Sequence, residues 1–277
     1  MIFVIEMVAI GGLTGILAGL LGGGGGFIMI PLLNTIGFPM REAAGLSLLY
    51  VAFAVASGTL RHFRQGTLDP MLGLILVSGG TPMVTAGSHL ANILPNQVLE
   101  ALFAFLVMGA TAMYWGWGRG TTELAQKLSQ GQRYPHGPHI LLRQLRVRNE
   151  EMIFTINAFA GLAVGACVGF VSGLLGLGGG WLLVPLLVVF MRIPLPVAIG
   201  TSLLGILGPA IAGAASYWWL GNLDLAASIP LILSGIIGAQ LGALLAVRID
   251  RAWLERLFVL VLSVASAYML ARGLRFM

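Results

Sequence analysis

Apolar residues fill the chain in long unbroken runs, and polar positions gather in the short stretches between them. Eight runs, near 2 to 21, 43 to 60, 70 to 91, 97 to 117, 152 to 175, 197 to 218, 225 to 247 and 252 to 271, have the length of about 20 residues that a helix needs to cross a hydrocarbon core. Two shorter runs, near 24 to 37 and 178 to 191, each follow a glycine cluster and contain a proline. At about 1.5 Å per residue neither completes a crossing, so both read as half-helices. No run alternates in polarity as the strands of a membrane barrel must.

The pattern occurs twice. The fifteen residues from Gly19 to Leu33 match those from Gly173 to Leu187 at ten positions. One residue out of register, Pro39 then matches Pro194, Gly45 to Leu49 matches Gly200 to Leu204, Gly66 to Asp69 matches Gly221 to Asp224, and Glu100 matches Glu255. Two copies of one unit are expected, residues 1 to 117 and 152 to 277. The stretch from 118 to 151 is a polar linker rich in Arg119, Lys127, Arg133, Arg143, Arg146 and Arg148. Lysine and arginine accumulate on the cytoplasmic side of membrane proteins, which places the linker there.

Loop charge predicts how the copies are oriented. Arg61 and Arg64 follow the second long helix of the first copy, while the matching loop at 219 to 224 has no basic residue. Conversely 92 to 96 has none, and its counterpart carries Arg248 and Arg251. The bias swaps sides, as inverted repeats require. Arg272 and Arg275 would then lie outside, against the trend.

Composition sharpens this picture. Hydrophobic residues make up 58% of the 277 and charged residues only 9%, far below the roughly 25% of soluble domains. The net charge of +5 sits between apolar segments, so it is a topology signal and no nucleic-acid partner is expected. The single cysteine, Cys167, excludes an intrachain disulfide framework and reads as a small buried apolar residue. No basic region precedes the first apolar run, so that run is expected to be retained rather than cleaved as a signal peptide.

The glycine clusters are the candidate chemistry. A helix cannot be interrupted against lipid, so Gly22 to Gly26 and Gly178 to Gly180 should be buried or line a wet cavity. Successive backbone N–H groups in a glycine turn form an anion-binding nest, and a helix starting there adds about half a positive charge. Gly22, Gly24, Gly25, Gly26, Gly176, Gly178, Gly179 and Gly180 are therefore candidate substrate-binding residues. Ser47, Thr201 and Ser202, at the same distance from the break in each copy, can donate hydroxyl hydrogens to an oxyanion or cap a helix. Asp69 and Asp224 read as N-caps, and Glu100 and Glu255 as first-turn carboxylates. Trp115, Trp117, Trp218, Trp219 and Trp253 fall at helix ends, as interfacial anchors do. Catalytic motifs, metal-ligand spacings and cofactor fingerprints are all absent, so no catalytic residue, metal or cofactor is expected.

Taken together, the repeated glycine run with Pro-Leu-Leu after it, the Gly-Thr/Leu-Ser-Leu-Leu run and the Gly-x-Leu-Asp turn resemble the sulfite exporter TauE/SafE family of membrane permeases, over nearly the whole chain. The resemblance implies an inner-membrane transporter, in practice an exporter, of small anions such as sulfite and organosulfonates like sulfoacetate. Leu46 stands where the second copy has Thr201, a departure that makes the two halves unequal as donors.

The expectation is an all-α integral membrane protein of two inverted homologous repeats. Each would have four long transmembrane helices and a glycine-broken half-helix. It would sit multi-pass in a bacterial inner membrane, with a small anion and the lipid bilayer as partners, and with homo-oligomerisation left open. The alternative is a non-transporting scaffold or assembly component acting through the basic linker.

Overall fold

The computed structural model describes residues 2–21, 25–117, 140–147, 150–246 and 251–275. Its elements run α1 (Ile2–Leu21), α2 (Gly26–Thr35), α3 (Met40–Arg64), α4 (Pro70–Ile93), α5 (Asn96–Trp117), β1 (Ile140–Val147), β2 (Glu150–Asn157), α6 (Ala158–Leu175), α7 (Gly180–Val189), α8 (Leu195–Trp219), α9 (Leu225–Ala246) and α10 (Arg251–Arg275). Among the described residues, six of the long helices, α1, α3, α4, α6, α8 and α9, are long and apolar enough to cross a membrane. The chain is thus a predominantly helical membrane protein, and the two ten-residue helices stand where half-helices are expected.

One segment departs from the all-helical expectation. Residues 140–147 and 150–157, ten of them expected in the linker and the other six in the next helix, form an antiparallel pair of strands in which Arg143 pairs with Phe154. The reason lies in the packing. From Met152 to Ile156 the side chains alternate, with Phe154 and Ile156 fully buried and Ile153 exposed, which is the period of a strand rather than of a helix. Helix begins only where Asn157 accepts a 3.2 Å hydrogen bond from the Ala160 N–H and caps α6.

Glycines set how the helices meet, because close backbone approach is what holds helices together in lipid. α1 packs along α9, with Gly11 against Leu231, Gly15 against Gly235 and Gly242 against Ile16, so the two run in the same direction. α4 and α6 do likewise through Leu76 and Gly165, Gly80 and Gly169, and Val84 and Gly173. α3 meets α8 head to tail, Leu48 facing Gly213 and Gly58 facing Leu203. α5 meets α10 in the same sense, where Ser266 donates to the Ala104 carbonyl and Arg272 pairs with Glu100. Because α3 and α8 are antiparallel, the starts of these two helices lie at opposite ends of the bundle. The hairpin is tied to the α3–α4 connection, so that end is the hairpin end and the start of α3 marks the far end.

Other expectations change in detail. Cys167 is exposed on α6, so it belongs to the membrane-facing surface rather than the core. Glu100 is the fifth residue of α5, beyond the first turn, and is held by Arg272 of α10 rather than by the α5 dipole. Glu255 is likewise the fifth residue of α10. Trp218, Trp219 and Trp253 are exposed at helix ends; the side chains of Trp115 and Trp117 lie outside the described ones.

Candidate functional site

Each glycine break folds the chain back on itself. Gly25 is the N-cap of α2, at φ 73° in the left-handed region that favours glycine. It sits beside Thr14 and Ala18 of α1 and the Tyr50 ring of α3. In the second break Gly176 caps the end of α6 at φ 72°, its N–H bonded to the Ser172 carbonyl at 2.8 Å, and Gly178 and Gly179 are also at φ 72°. Gly179 is the N-cap of α7 and lies against Val168 of α6. Gly22 and Gly24 lie outside the described residues.

The two breaks meet. A methyl group placed on Gly26, the first residue of α2, would fall 2.9 Å from the Leu177 carbonyl oxygen in the other break and 2.8 Å from Ser47 Oγ. Ser47, fully buried on α3, donates to the Gly176 carbonyl at 2.7 Å. Val51, one turn further along α3, covers Gly178. α3 therefore brings Gly25, Gly26, Ser47, Gly176 and Gly178 into one interior region. A narrow crevice lined by Val168, Ser172, Gly178, Ile206 and Pro209 adjoins it.

The electrostatics of this region come from backbone. Neither N-cap glycine has a side-chain oxygen to satisfy the first N–H groups of its helix, and both helix starts point into the region where the breaks meet. α2 leads to the start of α3 and α7 to the start of α8, at opposite ends of the bundle. The half-helices therefore approach from opposite sides with their positive ends inward. Among the described residues no group of three or more His, Cys, Asp or Glu could hold a metal.

The other hydroxyls are engaged in structural bonds. Thr201 Oγ1, fully buried on α8, accepts the Asp69 N–H at 2.9 Å and so serves the start of α4. Ser202 Oγ donates to the Ile199 carbonyl at 2.8 Å within its own helix. Asp69 and Asp224 cap as expected: Asp69 accepts from the Leu72 N–H at 2.9 Å, and Asp224 from the Ala226 N–H at 2.8 Å. Asp69 also accepts from Arg143 Nε of the hairpin at 2.8 Å, a partner its position in the sequence did not suggest. Polar contacts between helices were also missed, because isolated serines and tyrosines in apolar runs carry no pattern. Tyr217 donates to the Gly173 carbonyl at 2.8 Å, Ser88 and Ser216 share a 2.5 Å bond between α4 and α8, and Asn222 donates to Asn92 at 2.9 Å.

Comparison with known proteins agrees with this architecture. The family profile described as Sulfite exporter TauE/SafE matches residues 7–269. The chain is 26% identical over 253 residues to the Probable membrane transporter protein YunE of Bacillus subtilis, covering 88% of each chain. It is 30% identical over 267 residues to a Probable membrane transporter protein of Xylella fastidiosa, covering 95% of this chain and 93% of that one. An archaeal relative of the same description, from Methanocaldococcus jannaschii, is 22% identical over 281 residues, covering 95% of this chain and 94% of its own. No solved structure matches.

Proposed function

The chain belongs to the sulfite exporter TauE/SafE family and is a multi-pass membrane transporter of that type, and from that premise we propose that it exports small sulfur oxyanions of the sulfite and organosulfonate class, bound where the two glycine breaks meet. The observation that carries the proposal is the approach of Gly26 to Leu177, which points two uncapped helix starts at one interior region. The positive ends of two helices that lack side-chain caps favour a negative guest without a fixed cation. A site built from dipoles also releases its anion more readily than a buried lysine or arginine would, because no full charge is left unpaired on departure.

The same reading makes the chain a pair of inverted repeats. Supporting it, α1 pairs with α9 and α4 with α6, in each case the first long helix of one unit with the third long helix of the other. α3 and α8, and α5 and α10, are matching helices that meet head to tail. A two-fold axis lying in the membrane plane produces that combination. Arg61 and Arg64 end α3 and Arg251 begins α10 at the hairpin end, which makes that end cytoplasmic.

The test is sulfite and sulfoacetate flux in proteoliposomes. Gly25→Ala and Gly179→Ala should abolish it, since each forces a side chain onto a left-handed backbone inside the site. Gly37 and Gly221 are also at positive φ, with open space where a side chain would go. Gly37→Ala and Gly221→Ala carry the same backbone strain away from the site and should keep flux. Equal flux in all four variants would remove the site assignment.

A further inference from the structure

Arg41 is placed against several ordinary preferences. It is the second residue of α3, where the helix dipole disfavours a cation. One guanidinium nitrogen, Nη2, donates to the carbonyl of Leu94 at the end of α4, at 2.7 Å. Its Nε is buried and has no hydrogen-bond partner. The described ion pairs are Arg143 with Asp69 and Arg272 with Glu100, so among the described residues Arg41 has no carboxylate partner. An unsatisfied buried N–H on a permanently charged group is destabilising unless something occupies it. The side chain as a whole is only partly buried, although Nε itself is covered.

Polar groups lead inward from this point. Gly45, one turn along the same face of α3, packs against the Asn222 carbonyl and the Tyr217 side chain. Beyond them come the Ser88–Ser216 pair, the Tyr217 bond to Gly173 and the Ser47 bond to Gly176 at the second break. The position matching Arg41 in the second unit is Pro196, so the second unit has no arginine at this place in the repeat.

Resting on the transport reading above, we propose that Arg41 is a second binding site for the same small oxyanion, at the far end of the bundle, holding it through the vacant Nε–H and neighbouring guanidinium hydrogens. A planar guanidinium fork matches two oxygens of a sulfonate or sulfite, and such charge-assisted bonds are roughly twice as strong as neutral ones. This site holds the anion at the far mouth, and the dipoles at the breaks hold it in the interior.

The experiment measures thermal stabilisation of the purified full-length protein by sulfite, sulfoacetate and methanesulfonate, alongside flux in proteoliposomes. Arg41→Gln should raise the anion concentration needed for half-maximal stabilisation, and the KM for flux, by about tenfold or more, the loss expected for one charge-assisted hydrogen bond pair. Maximal flux should change less. Arg41→Lys, which keeps the charge on a single donor nitrogen but loses the planar fork, should fall between. Arg64→Gln, an exposed arginine at the opposite end, is the charge control and should match the wild type. Wild-type concentration dependence in Arg41→Gln would overturn the Arg41 site alone. Absence of both stabilisation and flux in the wild type with all three anions would overturn it together with the transport reading. Should Arg41→Gln not purify as a folded protein, Arg41→Lys decides: wild-type concentration dependence there would also overturn the site.

Discussion

The Ser47 hydroxyl donates a 2.7 Å hydrogen bond to the Gly176 carbonyl, joining residues 129 positions apart in the chain. Through it the second glycine break is held to α3 at the place where Gly26 of the first break also packs. Gly176 ends a helix, so its carbonyl has no helical partner of its own and depends on this hydroxyl.

Ser47→Ala should therefore leave a buried acceptor unsatisfied, at a cost of about 1–3 kcal/mol. The expected outcome is a lower Tm in detergent and weaker sulfite flux. Ser47→Thr, which restores the donor, should recover part of both.

A second prediction separates packing glycines from incidental ones. A side chain on Gly15 would collide with the Gly235 backbone, whereas one on Gly12 meets nothing within 4 Å. Gly15→Ala should destabilise by about 1–3 kcal/mol as α1 is pushed from α9. Gly12→Ala should be neutral or stabilise by up to about 1 kcal/mol through helix propensity. Thermal unfolding of the two variants, one turn apart, checks this.

The hairpin end offers a third. Asp69 is fully buried and accepts from both the Leu72 N–H and Arg143. Asp69→Ala removes a cap, worth about 1 kcal/mol, and also the partner of Arg143. Arg143→Ala keeps the cap but leaves the buried carboxylate without its cation, so it should cost more than the about 1 kcal/mol of an exposed pair. Hydrogen exchange should then rise at residues 140–157 in both variants, but at the start of α4 chiefly in Asp69→Ala. Equal protection of the α4 start in the two would contradict the capping role.

A fourth prediction distinguishes a transporter from a scaffold that works through its basic linker. Deleting residues 120–138 keeps Arg143 and its bond to Asp69, so the bundle should retain its Tm. Anion flux should persist in proteoliposomes, whereas a scaffold acting through this stretch would lose its partners while remaining folded.

Membrane residence and the glycine interruptions were legible in the sequence, because each depends on local chemistry. A run of about 20 apolar residues needs no tertiary context to prefer lipid, and a glycine cluster breaks a helix wherever it stands. The caps at Asp69 and Asp224 were legible for the same reason, since a carboxylate two or three residues before its N–H partner acts locally. Strand residues 150–157 were not, because a short apolar stretch beside a long apolar helix has no boundary until Asn157 is seen capping. Tertiary structure alone decided that the two breaks share one region, that Ser47 holds Gly176 while Thr201 serves Asp69, and that Arg41 is left with a vacant N–H. Each of these depends on which helices lie side by side, and that is set by close backbone contacts between glycines far apart in the chain, which local chemistry cannot specify.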